Sequence, residues 1–149
     1  FSDPTPALGG LQTVSDTTPR VRELVLYSDF AMAEVQVPGQ PTFVDEYTWR
    51  DGGVEGPEPV SLLDMEVDEL ETKLYDLTEI DPAVIPGLGP LTLARCPGEG
   101  IELTHMIIDR EFNDEGEVRI RVYASHPERG GGGYVSYALD GTEVANYCS

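Results

Sequence analysis

Two stretches of the chain, FVDEYTWRDGGV at 43–54 and YVSYALDGTEV at 134–144, carry one pattern. Apolar and polar residues alternate, stop at Asp-Gly, and then resume. Successive side chains on a strand point to opposite faces, so alternation marks a strand with one buried and one wet face. Asp-Gly suits the two-residue turn of a hairpin, whose central residues take positive φ. A chain that writes this phrase twice is committed to antiparallel strands.

Other matches accompany it in the same order. PALGGL (Pro6 to Leu11) stands against PGLGPL (Pro86 to Leu91) at an offset of 80, and VRELVLYSDF (Val21 to Phe30) against LTHMIIDREF (Leu103 to Phe112) at 82. EVQV at Glu34 faces RIRV at Arg119 at an offset of 85, and Asp51 faces Asp140 at 89. Offsets that grow steadily without a change of order are what small loop insertions into a duplicated unit produce.

The second copy gives the fuller account of that unit. Asp81 and Pro82 suit a helix start, and Pro86 and Pro90 predict a short or broken helix ending near Cys96. Strands follow in IELTHMIID, EVRIRVYAS and GYVSYALD, with NDEG (Asn113 to Gly116) and HPERGGGG as the turns and a last short strand in EVANYC. The first copy reads as a poor helix near Leu8 to Leu11 and strands at about 21–27, 30–37 and 43–49.

The expected fold is α+β, a duplicated helix-plus-three-or-four-strand unit forming one antiparallel sheet of six to eight strands with the helices on one face. The whole chain, 1–149, reads as a single domain of two repeats, about 1–56 and 71–149, joined by an acidic Gly/Pro-rich connection at 57–70. Alternation puts Val118, Ile120 and Val122 on one side of their strand and Arg119, Arg121 and Tyr123 on the other. Tyr47 and Trp49 share a face two strands earlier in the pattern. These five, Tyr47, Trp49, Arg119, Arg121 and Tyr123, are the candidate partner surface, because aromatic and Arg side chains concentrate binding energy at interfaces; the alternatives are that Tyr47 and Trp49 belong to the core and that the arginines pair with acids across strands.

The formal charge is −19, with Lys73 the single lysine. Such a field repels phosphate backbones, and no basic cluster interleaved with aromatics offsets it, which argues against nucleic acid as a partner. No apolar run is long enough to span a membrane. The opening FSDPTPALGG has neither an initiator Met nor the basic-then-apolar form of a leader. The chain is therefore read as a trimmed piece of a secreted or lipid-anchored protein. Its two cysteines, Cys96 and Cys148, fit one disulfide in an oxidising compartment.

No Gly-x-Ser-x-Gly, His-Glu-x-x-His or phosphate-binding loop is present. Gly130–Gly133 lacks the lysine such a loop needs and reads as a hairpin tip. His105 lies among apolar strand residues and His126 in a loop, and neither has a second histidine at ligand spacing. The acidic run with Asp109, Glu111, Asn113, Asp114 and Glu115 places Asp114 where a calcium loop requires Gly. No catalytic, cofactor-binding or metal-ligating residue is assigned, and no cofactor is expected.

The duplicated outline, the YDLTEIDPAVIPGL segment at 75–88 and the closing GGYVSYALDGTEV resemble the tandem α-β modules of secreted proteins and lipoproteins from high-GC Gram-positive bacteria. In architecture the chain resembles PepSY-like domains and the β-lactamase inhibitory protein family. The resemblance implies a sheet face that binds a partner. The function expected is a non-enzymatic extracytoplasmic binding or scaffolding module of the bacterial cell envelope, its partner an envelope protein or other extracytoplasmic ligand. Two alternatives stay open: a cation-binding or structural accessory domain, and an enzyme whose site carries no recognisable motif.

Overall fold

The structure is a computed structural model that describes residues 3–110 and 116–148. Its elements run α1 (Thr5–Gln12), β1 (Arg20–Leu26), β2 (Phe30–Gln36), β3 (Val44–Arg50), β4 (Gly53–Val60), α2 (Asp64–Lys73), the two-residue β5 (Tyr75–Asp76), a 3-10 turn (Leu77–Glu79), α3 (Ile85–Arg95), β6 (Glu102–Asp109), β7 (Arg119–His126), β8 (Gly130–Ala138) and β9 (Glu143–Asn146). The strands form one antiparallel sheet in the order β4-β3-β2-β1-β6-β7-β8-β9, with β5 paired to the start of β1. The antiparallel sheet was legible in the alternation; its size exceeds the expected six to eight strands by the short β5.

Asp51 and Gly52, at φ 52° and 79°, make the two-residue turn between β3 and β4. The second Asp-Gly builds a longer connection. There Gly141 donates its N–H to the Ala138 carbonyl, and Ala138 donates to Thr142. The acidic loop and the NDEG turn fall largely on residues 111–115, which lie outside the described residues.

Leu8 and Leu11 of α1 and Ile85 and Leu88 of α3 are buried with the inward residues of β1, β2, β6, β7 and β8 in one cluster. Burying each such side chain is worth about 1.5–3 kcal/mol. Of the short or broken helix expected to end near Cys96, the short form is found: α3 ends at Arg95 and runs unbroken through Pro90. Pro86 sits in its first turn, where a missing N–H is harmless. The one lost bond at Pro90 is outweighed by the packing of Ile85, Leu88 and Thr92. Thr92 shares a 2.9 Å hydroxyl–hydroxyl bond with buried Tyr137 of β8.

The expectation of helices on one face only is corrected by α2. Gln36 and Glu34, which alternate with inward-facing Val35, meet α2 through Glu71 and through Arg22, which bridges Glu34 and Glu66. Below the helix a second, smaller cluster joins Leu70 and Leu74 to Val44, with Val60 and Leu62 packed against it. One end of the second face is thus covered. The stretch read as a connection, 57–70, holds structure of its own: the end of β4 and the start of α2. Pro57 and Pro59 are tolerated in β4 because it is the outermost strand and pairs on one side.

Candidate binding face

The face of the sheet turned away from α1 and α3 is organised in rows by strand register. Nearest to α2, four glutamates stand opposite one another on adjacent strands: Glu23 with Glu34, Glu34 with Glu46, and Glu46 with Glu58. Like charges in direct opposition are unfavourable on a sheet. Arg22, 2.6 Å from Glu34, offsets part of that repulsion. Burial, with Glu34 and Asp109 nearby, pushes the Glu23 carboxyl up to about 7. Glu46 is raised as well, by desolvation first and then by Glu34 and Glu58.

At the opposite end of the strands from α2, the same register assembles rings. Phe30 stacks on Tyr27 with centroids 4.3 Å apart, and Tyr27 lies 5.7 Å from His105. His105 stacks on Tyr123 at 4.6 Å and 6° between planes; Tyr123 is followed by Tyr134 at 4.9 Å and Tyr134 by Tyr147 at 4.8 Å. The Arg50 guanidinium caps the row, 4.6 Å above the Phe30 ring. Each ring comes from a different strand or its immediate end, so the row crosses the sheet from β2 to β9. Neighbouring strands lie about 4.8 Å apart, which brings in-register rings into contact, stacked from Phe30 to Tyr123 and tilted by 35° and 37° at Tyr134 and Tyr147. Tyr147, 59% exposed, ends the row, and the other five rings are half-buried.

Between these rows lies Arg121. It is 5% exposed, donates to Asp109 Oδ2 at 2.8 Å and to the Tyr123 hydroxyl at 2.6 Å, and stands 5.7 Å over the Tyr123 ring. A buried pair of this kind fixes the side chains it touches, and removing one partner is costly. Desolvation, and then the Arg121 charge, lower the pKa of His105 below its ordinary value and favour the neutral ring in the stack.

The five residues of the sequence-derived surface divide between the two faces. Tyr47 and Trp49 lie opposite Ala33 and Ala31 and pack against the main core on the helix side. Trp49 comes so close to α1 that a Cβ on Gly10 would lie 2.6 Å from its ring. Arg119, Arg121 and Tyr123 lie on the other face, where Arg121 is buried and Tyr123 belongs to the ring row. Sequence reasoning missed Tyr27, Phe30, Tyr134 and Tyr147. The available signal was one aromatic at the same end of each strand, readable only once register is known.

His126 holds the β7–β8 turn, its Nδ1 accepting backbone N–H groups from Glu128 at 3.1 Å and Arg129 at 3.0 Å. Cys96, just after α3, and Cys148, just after β9, form a disulfide with Cα atoms 4.9 Å apart. Among the described residues no helix is long and apolar enough to cross a membrane. Compared with known proteins, the chain matches no family model, no curated protein and no solved structure.

Proposed function

We propose that this protein is a non-enzymatic extracytoplasmic binding module of a bacterial cell envelope, working through the sheet face opposite α1 and α3. The observation that carries the reading is the ring row from Phe30 to Tyr147. Tyr rings offer large, stiff contact area with a polar edge, the combination enriched where interfaces concentrate their energy. The glutamate row beside it and the charge of −19 favour a partner presenting basic side chains, since Arg and Lys gain from both carboxylates and ring faces. The disulfide supports an oxidising compartment. A duplicated origin belongs to the same proposal. It is supported by a helix before each run of four strands and by a strand order that reads outward alike from the β1–β6 seam.

The test is capture of partners from envelope extract by the immobilised protein and by a Tyr134→Ser/Tyr147→Ser variant. Both changes fall at the exposed end of the row, so the thermal midpoint should move by a few degrees at most while capture is lost. Equal capture by a destabilised variant would make the row a device for sheet stability alone, in keeping with the gain of about 0.5–1.5 kcal/mol per ring pair.

A further inference from the structure

A second surface lies apart from the ring row, where the outer end of the sheet meets α2. An apolar hollow of about 580 Å³ opens there between Val37, Phe43, Val44, Val60, Leu62 and Val67. Val44, Val60 and Leu62 connect it to the small cluster built on Val44, Leu70 and Leu74. Phe43 in its wall is 58% exposed, and Leu63 and Met65, outside the hollow but next along the chain after Leu62, are exposed too. Apolar surface gathered in this way marks an interaction site more often than chance exposure does.

The charge around it is one-sided. The segments that build the hollow, 37–45 and 58–70, contain no Lys, Arg or His and six acids: Asp45, Glu58, Asp64, Glu66, Asp68 and Glu69. Of these, Glu66 is engaged with Arg22. A second copy of this chain would bring the same acids against them, and an anionic lipid surface would be repelled likewise. An apolar floor with an acidic rim is instead complementary to a helix that is apolar on one side and basic on its flanks.

We infer that the hollow between β3, β4 and α2 docks a cationic amphipathic helical segment. Its apolar residues enter beside Phe43 and Val60, and its Lys or Arg side chains meet Glu58, Asp64 and Asp68. This site is independent of the ring row and does not rest on the function proposed for it.

Two dye-labelled peptides of identical Leu/Lys composition provide the probe. One has its leucines at i, i+3, i+4 and i+7, and the other is scrambled. At roughly physiological salt, ~0.15 M, long-range attraction is screened, so the patterned peptide is expected to bind about tenfold tighter than the scrambled one. Phe43→Ser and Leu62→Ser should each abolish that preference, whereas Tyr134→Ser/Tyr147→Ser should leave it intact. Because Leu62→Ser could loosen α2, amide shift mapping on the unaltered protein gives a second reading. Perturbations should centre on residues 42–45 and 59–67. Equal binding of the two peptides, a preference that survives Phe43→Ser, or shifts centred on the rings would each overturn the inference. So would a concentration-dependent dimer that Phe43→Ser disperses, which would assign the hollow to a second copy.

Discussion

Glu23 concentrates at one position the conflict that runs through the outer face. Its backbone belongs to the central strand β1, while its side chain stands opposite Glu34 and near Asp109. Raised to about 7 from an ordinary 4.5, the carboxyl is held more readily as the neutral acid in the folded chain than in the unfolded one. Folding therefore takes up protons here. The contribution to stability is fully present below about pH 4.5 and is lost as pH rises through 7. Replacing Glu23 by Gln removes the ionisation and should leave stability unchanged at pH 4. The variant should gain on the parent as pH rises, by about 1–2 kcal/mol at pH 8 once solvent screening of a part-exposed group is allowed for. Urea midpoints at several pH values measure this, and a gain that does not depend on pH would show that Glu23 is not the group under strain. None of this was legible in the sequence, where Glu23 is one acid among many. Its neighbours come from β2 and β6, brought close only by pairing.

At the scale of elements, the strands announced themselves because alternation is a local property. Ile120, Val122 and Ala124 turn inward, and Arg119, Arg121 and Tyr123 turn outward, as two-residue periodicity requires. Periodicity separates two sets without saying which lies under a helix, and for that reason Tyr47 and Trp49 were grouped with residues of the opposite face. The β4 strand escaped notice because Pro57 and Pro59 look like linker residues, and only a position at the sheet edge makes them acceptable. α2 lay hidden in the acidic stretch read as a connection, since Leu70 is the one residue of its length that is buried and it leaves little apolar periodicity to see. Cys96 and Cys148 were visible, whereas the elements they fasten, the end of α3 and the segment after β9, were visible only in outline. Closing a loop of 52 residues is worth about 4 kcal/mol in the chain-entropy account. Alkylation without reductant should label no thiol, and reduction should lower the thermal midpoint by about 10 °C. Two labelled thiols in the unreduced protein would remove both the bond and the main support for an oxidising compartment.

In the molecule as a whole, helices, rings and acids are distributed along a single sheet whose two runs of four strands meet in the middle. Between β1 and β6 that meeting is narrow, and it is supplemented by β5 on the start of β1 and by α2 against the earlier run. Leu24, Val25 and Leu26 of β1 are the residues in register with Ile108, Ile107 and Met106 of β6, while β2–β3 and β6–β7 are paired along seven positions each. The disulfide closes entirely within the later run, so no covalent bridge ties the halves except the chain itself. A protein joined in this manner is separable into complementary parts. Cut in the exposed link before α2, fragment 1–62 would carry α1 and β1 to β4 and fragment 63–149 would carry α2, α3 and β5 to β9, and each would present a bare central edge that invites pairing. Either fragment alone should aggregate or remain poorly ordered. Refolded together, they should restore a one-to-one assembly with the circular dichroism of the intact chain. Fragments that fold and stay monomeric when kept apart would mean that the seam unites two self-sufficient halves and that neither depends on the other for its core.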